Sequence, residues 1–140
     1  KDQDGMLGSK TGYLESRIAN ALRDYSDPIA VMSFNPYSVL YFGKLMPNIP
    51  RGLVTQCFTN KTWPNLPNDL KKRLNDFDYS IPLQVSFISH DFNDLKSSKI
   101  SEHLDLDIKI LCWTIKTATE AKRSLKIATN ITFEGFDPSI

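Results

Sequence analysis

Apolar residues along the chain switch repeatedly between helical spacing and the short unbroken runs of buried strands. From Tyr13, residues Leu14, Ile18, Ala21, Leu22 and Tyr25 fall on one helical face. Asp27-Pro28 stops that helix, and "IAVMSF" (29–34) then reads as a strand. Asn35-Pro36 predicts a second helix: Asn accepts hydrogen bonds from free N–H groups, and Pro at the first position has none to lose. That helix carries Val39, Leu40, Tyr41 and Met46 and ends before "MPNIP"; "GLVTQCF" (52–58) follows as a strand. The polar, Pro-rich "TNKTWPNLP" (59–67) is expected to be a loop, with Asn68 capping a helix that bears Leu70, Leu74 and Phe77. "LQVSFIS" (83–89) alternates as a strand does, the polar "HDFNDLKSSK" is read as a surface loop, and a short helix is expected at 98–104. "IKILCW" (108–113) is a strand. Thr117 and Glu120 fit a capping box for a helix whose Ala118, Ala121, Leu125 and Ala128 share a face. "NITFEGF" (130–136) closes the series as a buried strand.

Strands separated by helices pair in parallel through right-handed crossovers. Five of them, in one domain spanning residues 1–140, suit either an open doubly wound sheet or part of a (β/α)8 barrel. There is no GxGxxG and no Walker A motif, and the chain has only 6 glycines, so a phosphate-cradling glycine loop is not expected. In both classes ligands meet the C-terminal strand ends. That edge holds Ser33-Phe34-Asn35, Thr55-Gln56, Ser89-His90-Asp91, Trp113-Thr114, Lys116, Glu134 and Asp137.

Composition narrows the classes further. Of the 140 residues, 41% are hydrophobic and 24% charged, enough for a core, and the net charge of +1 gives no general attraction to nucleic acid. No apolar run approaches a membrane span, and the first ten residues lack a signal peptide's apolar region. The two cysteines read as free thiols of a reducing compartment, and a cytoplasmic location is expected. The chain does not begin with Met, which reads as a trimmed or partial product. Cys57 and Cys112 are expected to be buried free thiols. Of two glycosylation sequons, the one at Asn130 falls in a strand expected to be buried, and neither is expected to be used.

Two blocks carry a family resemblance. "VMSFNPYSVLYFGKLMPNIPRGLV" (31–54) resembles the segment of glycerophosphodiester phosphodiesterases in which a strand ends in Ser-Phe, followed by a helix, "P-x-I-P" and a Gly-Leu strand. "ILCWTIKTATEAKRSLKIATNITFEGFDP" (110–138) resembles the family's closing segment, with its Trp-Thr strand end. The ordered set covers residues 14 to 138, more loosely over 59–107. It implies the C-terminal part of a TIM barrel that cleaves a glycerophosphodiester to glycerol 3-phosphate and an alcohol, in glycerophospholipid metabolism. It also implies a divalent cation, Mg or Ca, whose ligands are not in this chain. The family's His-Arg-Gly strand end, Glu and Asp metal pair, second His and Glu-x-Lys strand end are absent, so no catalytic residue is expected here and the fragment alone is expected to be inactive. Lys1 matches the Lys of that last strand. Lys116 stands where many members carry Asn, and the ending around Glu134 also departs from the family's pattern.

The residues expected to contact substrate are Ser33, Phe34, Trp113, Lys116, Glu134 and Lys1. His90 and Asp91 are read as a surface pair, and Ser33 lacks the G-x-S-x-G context of a nucleophile. The expected partners are a small glycerophosphodiester and either the N-terminal half of the barrel or a second chain to cover open strand edges. The rival expectation is a barrel-derived binding or assembly domain without catalysis.

Overall fold

A computed structural model describes residues 5–79 and 83–138. Its elements follow the expected alternation: α1 (Tyr13–Ala21), β1 (Val31–Ser33), α2 (Pro36–Leu45), β2 (Arg51–Thr55), α3 (Asn68–Asn75), β3 (Phe87–Asp91), α4 (Ser98–Asp105), β4 (Lys109–Ile115), α5 (Ala118–Ser124) and β5 (Asn130–Phe133). A 3-10 turn, Phe92–Asp94, joins β3 to α4.

The strands form one sheet in the order β1-β2-β3-β4-β5, every pair parallel. Sequence neighbours are sheet neighbours throughout, and the order never reverses. A doubly wound sheet has such a reversal at its ligand crevice. The progression is therefore that of a barrel wall.

Side-chain alternation assigns the two faces. Leu53, Ile88 and Ile110 lie side by side across β2, β3 and β4 and are fully buried. They share a core with Val39 of α2, Leu74 of α3, Ile100 of α4 and Ala121 of α5. Two residues further along each strand, Thr55, His90 and Cys112 form the next row on that face, also buried. The intervening residues Val54, Ser89 and Leu111 point the other way.

Local chemistry sets several boundaries. The Asn35 side chain accepts from the N–H groups of Tyr37 and Ser38 and begins α2 as expected. Thr117 and Glu120 complete the capping box of α5. Asn68 does not cap α3: Pro67 takes that place and Asn68 begins the helix. The strand expected at 83–89 starts only at Phe87, because Gln84 holds a positive φ of 50° that breaks extended backbone, while Leu83 and Val85 enter the core from a loop. The last strand stops at Phe133, before Gly135 turns with φ 78°.

A neutral aromatic cavity at the C-terminal strand ends

A cavity of about 520 Å³ opens on the sheet face away from the helices. Every strand contributes: Met32, Ser33 and Phe34 from β1 and its end, Val54 from β2, Ser89 from β3, Trp113 and Thr114 from β4, Thr132 from β5. Trp63 adds a wall from the loop after β2. None of these residues carries a charge.

The walls are held by specific contacts. The Phe34 ring lies 5.5 Å from that of Trp113 and 5.8 Å from that of Trp63, and Trp63 packs on Phe58 at 5.7 Å. The Trp113 indole N–H donates to the Ser89 carbonyl across the β3–β4 pair at 2.9 Å. The Ser33 hydroxyl oxygen accepts from the Asn35 N–H at 3.1 Å, so its role is to shape the corner from β1 into α2.

The polar loop that presents Trp63 is tied down at both ends. Thr59 and Thr62 exchange side-chain and backbone hydrogen bonds, and the Trp63 N–H donates to the Thr59 carbonyl at 2.8 Å. Asn75, at the end of α3, pairs with both backbone groups of Phe58 at 2.8 and 3.0 Å. Lys71 donates to the Asn60 side chain at 2.6 Å. The segment is a loop, as its Pro and Asn content predicts, but a well-anchored one.

The expected substrate contacts thus divide. Ser33, Phe34 and Trp113 meet around the cavity. Lys116 and Glu134 pair with each other at 3.0 Å, both mostly exposed, and neither lines it. Such a pair adds little to stability in water. Lys1 lies outside the described residues. Trp63 and Ser89 were not singled out as contacts; the available signal for Trp63 was a large aromatic inside an otherwise polar Pro-rich loop.

His90 corrects an expectation. It is not on a surface loop but on β3, only 1% exposed and on the helix-covered face. Its Nδ1 lies 2.7 Å from the Thr55 hydroxyl and its Nε2 3.3 Å from the Asp94 carboxylate. A neutral ring satisfies both: the hydroxyl donates to Nδ1, and Nε2–H donates to Asp94. Burial lowers the His90 pKa from its ordinary value, against the opposing pull of Asp94 and Asp91. The hydroxyl–imidazole–carboxylate sequence is not a catalytic relay, because Thr55 is fully buried and no substrate reaches it. Cys112 is buried as expected, and burial raises its thiol pKa; Cys57, in contrast, is exposed. The sequon at Asn130 lies on the mostly exposed edge strand β5, not in a buried one.

Among the described residues no three His, Cys, Asp or Glu side chains converge to hold an ion. Their donor set does not fit a divalent cation. No helix of the described residues is long and apolar enough to cross a membrane.

No protein-family model matches the sequence, and no curated protein does. Solved structures do match the fold. A protein from Silicibacter pomeroyi DSS-3, provisionally assigned as a glycerophosphoryl diester phosphodiesterase, superposes with a TM-score of 0.66 at 14% identity, over 86% of this chain and 39% of its own. An Oleispira antarctica phosphodiesterase, solved in complex with the product sn-glycerol-3-phosphate, superposes with a TM-score of 0.65 at 15% identity, over 85% of this chain and 44% of its own. The chain spans about two-fifths of the length of these structures. Its five parallel strands and their helices form part of a TIM barrel, and the structures it resembles are phosphodiesterases.

Proposed function

We propose that the chain is the C-terminal portion of a glycerophosphodiester phosphodiesterase and that its concave cavity holds the neutral part of the substrate. The observation that carries this reading is the cavity itself. It sits at the C-terminal strand ends, where barrel enzymes bind ligands, and three aromatic rings wall it. Those faces suit the C–H surface of a glycerol or alcohol group, and hydroxyl side chains stand among them.

The uncharged lining also says what the cavity does not do. It offers nothing to neutralise a phosphoryl group, so the charge of the diester lies outside it. In this reading the acid, the base and any cation come from barrel strands beyond the described residues. The chain's own residues bind and orient the substrate and exclude water from its apolar side.

The same neutral lining favours a second reading, a barrel-derived binding domain without catalysis. One assay separates them. The complete product of the gene is incubated with glycerophosphocholine and related diesters, and glycerol 3-phosphate is measured. The phosphodiesterase reading expects release by the complete product and none above a protein-free blank by the 140-residue chain. Release by the short chain, or none by the complete product, contradicts it.

A further inference from the structure

A second cleft, of about 310 Å³, opens between the turn after β3 and the helix α5, on the helix-covered side of the sheet. Phe92, Asn93, Asp94 and Lys96 line it from the turn, and Arg123 and Ile127 from α5 and the loop that follows. The turn is held from within. The Asp91 carboxylate accepts from the Asn93 N–H at 3.0 Å and from its side-chain amide at 2.9 Å. The Ser97 N–H donates to the Asp94 carbonyl at 3.1 Å, and Leu95 is buried in the core. The Arg123 guanidinium lies 6.0 Å from the centre of the Phe92 ring, a contact that limits where it can swing.

Charge sets what this cleft attracts. Lys72, Lys99, Lys109 and Lys116 each sit on a carboxylate, whereas Lys96 and Arg123 form no ion pair among the described residues. Asp94 brings the cleft a carboxylate, but the buried His90 already donates to it through Nε2–H at 3.3 Å. Glu120 of α5 is engaged by the backbone N–H groups of Lys116 and Thr117. Lys122 and Lys126 stand exposed beside Arg123. Positive charge is therefore in excess around the opening. We infer that the cleft binds a small organic oxyanion, a phosphomonoester or a carboxylate, held between Arg123 and Lys96. Arginine offers a planar fork that meets two oxygens at once, and lysine a mobile point charge. Phe92 and Ile127 give the organic body an apolar wall, and the volume lies near the lower end for small-molecule pockets. The concave cavity has no charged residue in its lining with which to do the same. This inference does not rest on the phosphodiesterase reading and makes no demand on catalysis.

An NMR titration of the isotope-labelled complete gene product tests it, with phenyl phosphate, benzoate and the uncharged benzyl alcohol as probes. One or both anions are expected to shift the amides of 92–97 and 123–127 saturably, while benzyl alcohol leaves them in place. The tighter of the two anions tells a phosphomonoester site from a carboxylate site. The double variant Lys96→Gln, Arg123→Gln is expected to weaken this binding about tenfold, the loss of hydrogen bonds between charged groups. Both side chains are exposed, so its melting temperature is expected to stay that of the wild type. Asp94→Asn keeps an acceptor for His90 and removes the opposing charge, and is expected to tighten anion binding about threefold. Three results would overturn the proposal: no saturable shift at those amides, an equal response to benzyl alcohol, or an anion affinity unchanged in both charge variants.

Discussion

At the residue scale the most informative side chain is one whose environment the sequence misrepresents. His90 sits in "ISHDFNDL", where polar neighbours suggest a loop, yet strand β3 carries it into the helix-covered core. The run of polar residues hides its burial because β3 ends at Asp91, one residue later, and the switch from strand to turn leaves no apolar mark. Burial has a consequence for pH. The folded protein binds a proton at His90 less readily than the unfolded chain does, so between the two pKa values the unfolded state holds more protons and stability rises with pH. The contribution is complete above the ordinary imidazole range and falls as pH drops below about 6.5. Thermal unfolding of the wild type is therefore expected to show a falling midpoint from pH 7.5 to 5.5, while His90→Gln flattens the curve in that window. Carboxylates held low by surface partners, such as Asp107 beside Lys109, act at more acidic pH. An unchanged slope in the variant would place the pH response elsewhere. Trp113 permits a second test: Trp113→Phe keeps a ring but loses the N–H bond to the Ser89 carbonyl, an expected cost of about 1 kcal/mol in denaturant unfolding.

At the element scale the caps and the strand contacts set the tolerance to change. Asn35 was legible because Asn-Pro before an apolar helical period has one physical meaning, and the structure adds a bond from its Nδ2 to the Gly8 carbonyl. Asn35→Ala removes all of these bonds at a site 1% exposed and is expected to cost about 2 kcal/mol, the upper end for caps. Gly52 explains the closeness of β2 and β3 on the concave face. A methyl group there would stand 2.2 Å from the Phe87 ring, which is itself buried. Gly52→Ala is expected to destabilise by roughly 1–3 kcal/mol as the ring is forced aside, and a neutral result in denaturant unfolding would show that the ring yields freely. Strand existence was legible from apolar runs, but strand ends were not. The runs at 52–58 and 83–89 continue into loops because Phe58, Leu83 and Val85 are core residues outside any strand. Hydrophobicity marks burial, and here burial outlasts the sheet.

At the scale of the whole molecule, alternation of elements foretold a parallel sheet, but only the observed order β1 to β5 without reversal distinguishes a barrel wall from a doubly wound sheet. The cavity was half legible. Phe34 and Trp113 sit at strand ends, where the alternation rule finds them, whereas Trp63 reaches the cavity through an anchored loop whose path depends on Asn75 and Lys71 in a helix further on. Lys116 and Glu134 occupy comparable strand-end positions but turn to each other, since opposite charges on adjacent strand ends find a partner before they find the cavity. This chain contains 2 tryptophans, and both line the cavity, so the part of the tryptophan signal that is lost in Trp63→Phe and Trp113→Phe reports on that site. The most direct test of the account is therefore a tryptophan fluorescence titration of the complete gene product with sn-glycerol 3-phosphate. The account predicts a saturable change in intensity or emission maximum, diminished in Trp63→Phe and again in Trp113→Phe. A flat titration, at concentrations where the same ligand inhibits glycerophosphodiester hydrolysis, would contradict it by placing the substrate elsewhere.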